Sequence, residues 1–226
     1  MSEFKSLIDI MNLTQTDWAA NDERVRQWEA EQAETERRER YRKQAPERYW
    51  TESLATYKTD TDERKKMKDK AELFCHAVKC GKFATLAFLG SVGTGKTHLA
   101  LGIIYECGGL YRLSSGIVEE IRRAKSFTAT ETEAKILEQY GRASLLVIDE
   151  IGRGVAAQDE QYMLYQIINE RYNRRKSTVL ISNQSKKDFL NYIGIAAADR
   201  LTESAQVAEF TGQSYRATIR RENVRT

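Results

Sequence analysis

Gly90-Ser91-Val92-Gly93-Thr94-Gly95-Lys96-Thr97 fits the pattern G-x-x-x-x-G-K-[ST] at every fixed position. The residues before it, Phe83-Ala84-Thr85-Leu86-Ala87-Phe88-Leu89, form an apolar run that ends in glycine, which predicts a strand buried on both faces. The residues after it, His98 to Cys107, read as a helix stopped by Gly108-Gly109. Strand, loop and helix in that order are the context this pattern requires. Its chemistry is electrostatic. The glycines let backbone N–H groups close around phosphate oxygens, and the helix N-terminus adds positive potential. Lys96 suits the β and γ phosphates of ATP, and the Thr97 hydroxyl suits Mg²⁺. Gly90 to Thr97, with His98 beside them, are the expected nucleotide-binding residues.

Further along the chain, strands and helices alternate. Leu110 to Leu113 and Leu145-Leu146-Val147-Ile148-Asp149 read as strands, as do Thr178 to Ser182 and Val207 to Phe210. Between them, Ser114-Ser115 can cap a helix whose Ile117, Val118 and Ile121 face the core. A helix over about 131–140 and an amphipathic one over 159–174 complete the pattern. Alternation of this kind predicts right-handed βαβ units, hence an α/β fold around a five-stranded parallel sheet.

Functional ends of parallel sheets are their C-terminal edges, where the phosphate loop lies. Asp149-Glu150 ends a buried strand there. Asp149 can hold Mg²⁺ through water, and Glu150 is placed to orient or deprotonate an attacking water. Asn183 follows the strand Thr178 to Ser182 and can sense the γ phosphate. Arg200 and Arg216 carry guanidinium groups that could stabilise a transferring phosphoryl group or form surface ion pairs. Arg122, Arg123 and Lys125 near Phe127 form either a solvated helix face or a contact for single-stranded nucleic acid.

Composition narrows the classes. Of 226 residues, 41% are hydrophobic and 31% charged, with a net charge of only +3. Bulk charge therefore neither demands nor excludes nucleic acid. No apolar run approaches the roughly 18–20 residues of a bilayer span, and no signal-peptide block opens the chain, so a cytoplasmic location is expected. Cys75, Cys80 and Cys107 fit a reducing compartment, and a structural role suits them better than zinc. Before the only proline, Pro46, residues 16–44 read as a long charged helix, started by Asp17 or Asn21. Its few apolar residues, Trp18, Val25 and Trp28, either pack one end on the main domain or anchor a partner.

Together these residues resemble the DnaC/IstB family of AAA+ ATPases. The resemblance covers roughly Pro46 to Arg216. Its carriers are Gly90 to Ala100, Leu145 to Gly152, Ile181 to Asn183, Asp199 to Leu201, and Ser214 to Arg216. Ala45 to Tyr49 resembles the family's lead-in, whereas Gln184 stands where an apolar residue is frequent. The resemblance implies that Arg200 is an arginine finger reaching a neighbouring subunit's ATP, and that Arg216 senses its own nucleotide. It implies an AAA+ domain over 46–226 without a C-terminal lid, and a partner-binding arm over 1–45. It further implies self-association into a ring or spiral that grips single-stranded DNA and loads a replicative helicase. The alternative is an IstB-like ATPase assisting a transposase on duplex DNA. A phage or prophage origin fits a loader this small.

Overall fold

The structure is a computed structural model, and it describes residues 15–126, 130–154, 157–212, 214 and 215. The chain separates into two compact units, Met1–Arg40 and Tyr41–Thr226.

The first unit carries most of helix α1 (Gln15–Arg42). Asp17 and Asn21 lie inside this helix rather than ahead of it, so neither is its cap. Ion pairing on the helix is local, with Arg38 donating to Glu34 at 2.9 Å. Trp28 is exposed.

The second unit is built on the predicted sheet. Its strands are β1 (Thr85–Gly90), β2 (Leu110–Leu113), β3 (Leu145–Ile151), β4 (Ser177–Ser182) and β5 (Ala205–Phe210). They run parallel in the order β2-β3-β4-β1-β5. The three central strands are buried almost throughout, whereas the edge strands β2 and β5 mix buried and open positions. That is the reason the central strands read as continuous apolar runs.

Helices α2 (Asp62–Lys79) and α3 (Lys96–Cys107) flank the sheet, followed by α4 (Ser114–Ala124) and α5 (Glu133–Arg142). Then come α6 (Ala157–Asn173), α7 (Lys186–Ile193) and α8 (Ile195–Ser204). Side-chain alternation along β1 sorts them into two layers. Leu86 and Phe88 join the core that α2 and α3 complete, while Ala87 and Leu89 join the core under α4 to α8. Arg171, 1% exposed, ties these pieces together. Its guanidinium donates to the carbonyls of Tyr140 (2.5 Å) and Ala143 (3.0 Å) and to Thr178 Oγ1 (2.8 Å).

Two local differences from the sequence reading have physical causes. β1 begins at Thr85, since the Ala84 N–H donates to Ser177 Oγ (3.2 Å) rather than to a strand carbonyl, and Phe83 before it packs edge-on against Tyr172. Neither Ser114 nor Ser115 caps α4. The cap is Leu113, and Ser114 is buried with its hydroxyl turned to Glu160. Arg200 sits within α8. Among the described residues, no helix is long and apolar enough to cross a membrane, and no cluster of three or more potential metal ligands occurs.

Candidate nucleotide-binding site

β1 lies between β4 and β5, so the loop leaving its C-terminal end opens at the C-terminal edge of the sheet between those two strands. Residues 91–95 turn the chain directly into α3. Gly95 makes the turn with φ 97°, and a Cβ there would lie 2.7 Å from Tyr57 Cε2. Backbone contacts brace the loop on both sides: Ser91 N–H donates to Phe210 O (2.9 Å), and Tyr215 N–H donates to Gly93 O (2.8 Å). Lys96 begins α3, and its ammonium folds back to donate to the carbonyls of Gly90 (2.7 Å) and Ser91 (2.6 Å). A buried cation thus sits at a helix N-terminus whose first N–H groups have no intrahelical partners.

The acid pair approaches from β3. Asp149 is 3% exposed and accepts three hydrogen bonds: Thr97 Oγ1 (2.8 Å), Tyr111 OH (2.8 Å) and the Glu150 N–H (2.6 Å). Burial raises its pKa above the ordinary carboxylate value, and the three donors work against that rise. Glu150 is exposed and paired with Arg153 at 2.8 Å. Its φ of 59° puts a non-glycine residue in the left-handed region, a conformation costing roughly 1–2 kcal/mol. Backbone strain of this kind clusters at functional sites.

These groups converge on one groove of about 310 Å³, lined among others by Lys96, Thr97, Asp149, Glu150, Asn183 and Tyr215. A cavity of about 210 Å³ adjoins it, walled by Tyr57, Arg64, Thr94, His98 and Tyr215. His98 is committed to the segment before α2: its Nε2 lies 2.8 Å from Ser53 O, and its Nδ1 lies 3.1 Å from Glu52 Oε2. Tyr57 packs edge-on against that ring at 5.2 Å, and burial pushes its hydroxyl pKa up to about 12. The donor set fits a nucleotide with a hard divalent cation. Lys96 and the helix terminus suit a phosphate by charge, and Thr97 and Asp149 offer oxygen ligands.

The structure thus brings together Gly93, Gly95, Lys96, Thr97, Asp149, Glu150 and Asn183, with Val92 and His98 at the rim. It does not bring Arg200 there. That guanidinium donates to Asn169 Oδ1 (2.6 Å) and Ala196 O (3.0 Å) and lies 5.9 Å from the Tyr165 ring. Arg216 and Phe127 lie outside the described residues. Arg122 is engaged by Asp159, with contacts of 2.9 and 2.7 Å. Sequence reading missed Tyr57, Tyr111, Arg48 and Tyr49. Arg48 and Tyr49, which line the groove, stood within the noted lead-in Ala45 to Tyr49, and Tyr111 reads as an ordinary residue of a short edge strand.

Comparison with known proteins agrees with this geometry. The replicative helicase loader DnaC of Buchnera aphidicola subsp. Schizaphis graminum is 28% identical over 185 residues, covering 77% of this chain and 73% of that protein. The ATP-binding protein of insertion sequence IS232 from Bacillus thuringiensis subsp. berliner is 32% identical over 141 residues, covering 58% of this chain and 55% of that one. Among solved structures, a crystal structure of the DnaC helicase loader superposes with a TM-score of 0.64 at 22% identity, covering 74% of this chain and 100% of that one. The fold is therefore the α/β domain of AAA+ proteins, around a five-stranded parallel sheet. Residues 27–223 match the family described as IstB-like ATP binding protein. The chain belongs to that DnaC/IstB-like family of AAA+ ATP-binding proteins.

Proposed function

We propose that this chain hydrolyses ATP with Mg²⁺ and uses the cycle to load a replicative helicase onto single-stranded DNA. The observation that carries the reading is the direct bond from Thr97 to Asp149, at the floor of a groove also lined by Lys96, Glu150 and Asn183. Lys96 leaves the loop carbonyls to pair with the β and γ phosphates. The cavity beside His98 and Tyr57 takes the base. A Mg²⁺ bound there would supply the charge to neutralise that developing on the phosphates, and Thr97 and Asp149 are the residues that would hold it. Glu150 exchanges Arg153 for the attacking water and accepts its proton. Asn183 orients the γ phosphate.

Arg200 acts from a neighbouring copy, a reading supported by its absence from the lining of its own groove, and Arg216 acts on its own nucleotide. Residues 1–45 form the helicase-binding arm, and α4 meets single-stranded DNA. A second reading, a transposase-assisting ATPase on duplex DNA, is favoured by the likeness to the insertion-sequence protein.

Steady-state hydrolysis with single- or double-stranded DNA, and capture of a replicative helicase with and without residues 1–45, test the proposal. Lys96→Ala is expected to lose nucleotide binding. Stimulation by duplex alone, with no helicase captured, would move the reading to transposition. Unchanged nucleotide binding in Lys96→Ala would end both.

A further inference from the structure

Glu160 is a buried carboxylate that the hydrolytic scheme leaves unused. It lies in the first turn of α6 and is 2% exposed. A buried carboxylate normally has a cationic partner. Here its hydrogen-bond donors among the described residues are neutral and come from three separate elements. Ser114, the first residue of α4, donates through its hydroxyl, and so does Tyr192 of α7. The Gly152 N–H reaches both oxygens, at 3.2 and 3.3 Å.

Gly152 is the informative partner. It stands two residues after Glu150, inside a turn closed by Arg153 N–H on Glu150 O at 3.3 Å. Its φ is +82°, and a Cβ there would meet Gln184 Nε2 at 2.6 Å. The turn therefore packs closely against Gln184, the residue after Asn183, on one side and is hydrogen-bonded to Glu160 on the other. The same α6 turn holds both ends of α4. Glu160 takes Ser114 at its start, and Asp159 takes Arg122 near its end.

We propose that Glu160 is a positioning residue: its carboxylate joins the turn that aims Glu150 to the root of α4, so that a shift of α4 repositions Glu150. The proposal rests on the reading of Glu150 as the group that activates water. A carboxylate suits the role because it accepts from all three donors at once, whereas an amide accepts at one atom only. Catalytic groups tolerate little misplacement, about 1 Å being enough for a 100-fold loss of rate.

The test compares Glu160→Gln, Tyr192→Phe and Ser114→Ala with Glu150→Gln in the full chain. It reads kcat for ATP hydrolysis, the Kd of a fluorescent ATP analogue, and the increase in kcat caused by a dT oligonucleotide. Glu160→Gln is expected to lower kcat about 10- to 100-fold while Kd stays within about twofold. Ser114→Ala is expected to abolish the oligonucleotide's effect. A packing role would instead lower the melting temperature and weaken nucleotide binding together. If Glu160→Gln fails to fold, Tyr192→Phe, which keeps the ring, carries the kcat readout. Wild-type kcat in the Glu160, Tyr192 and Ser114 variants, with Glu150→Gln inactive, overturns the positioning role and leaves the water-activating role standing. Normal turnover by Glu150→Gln overturns both.

Discussion

Tyr111→Phe isolates one hydrogen bond in the site without enlarging or emptying the core. The Tyr111 hydroxyl donates to Asp149 Oδ2 at 2.8 Å, and both side chains are buried. Burial raises the Asp149 pKa, so the folded state binds that proton more tightly than the unfolded chain. Ionising Asp149 therefore costs folded-state stability. The cost is absent below the unfolded pKa, grows as pH rises towards the folded one, and is complete above it. Tyr111 offsets part of it. A hydrogen bond to a charged group is worth about 1.5–3 kcal/mol and a neutral one about 0.5–1.5. Tyr111→Phe should thus destabilise the protein by about 2 kcal/mol when Asp149 is ionised and by about half that when it is protonated. At roughly 2–4 °C per kcal/mol for a chain of this size, the melting point drops by about 4–8 °C near neutrality and by less in acid. The assay is thermal unfolding followed by circular dichroism near neutrality, repeated in an Asp149→Asn background, which removes the charge. Effects that add within about 0.5 kcal/mol in the double variant refute the coupling.

Gly95→Ala places a Cβ against Tyr57 at a φ of 97°, so it should destabilise by about 1–2 kcal/mol or more and weaken binding of a fluorescent ATP analogue. Wild-type affinity would show that the turn has no part in binding. For the proposed DNA contact, Asp159→Ala frees Arg122 and should tighten a labelled single-stranded oligonucleotide about two- to fivefold, the worth of an exposed ion pair. Arg122→Ala should weaken it and lower the salt dependence by about 0.7, read by fluorescence anisotropy against salt; no change in either variant removes Arg122 from the surface.

The parts of the molecule legible in the sequence are those where one local rule decides the outcome. Strands β1, β3 and β4 could be read because burial on both faces leaves no polar alternation to confuse them with helices. The phosphate loop could be read because glycine spacing and the following helix are sequential features. The start of α4 could not. Ser114 and Ser115 have the chemistry of a cap, yet Ser114 serves Glu160, forty-six positions away in the chain. A tertiary partner outcompeted the local backbone for the same hydroxyl, and no local pattern contains that partner.

The same distinction separates the two halves of the site. Lys96 and Thr97 are adjacent, and their roles follow from position within one motif. Asp149 was legible as an acid ending a buried strand, but its three donors come from α3, β2 and its own backbone. Tyr111 belongs to this set only because β2 pairs with β3 in the register Leu113↔Asp149, which carries Tyr111 back along the strand beneath the carboxylate. Sheet order is what makes it a site residue. Arg200 marks the next level of the same logic. Within one chain it bonds Asn169 and Ala196 and does not line the groove. A catalytic role for it must come from a second copy placing it at a groove other than its own. A preparation mixing Arg200→Ala with Lys96→Ala decides the matter. If the site is shared as proposed, each variant lacks a different half of it, so mixed assemblies should regain hydrolysis at interfaces pairing an intact arginine with an intact loop. Strictly additive, near-zero activity in the mixture would return Arg200 to the surface.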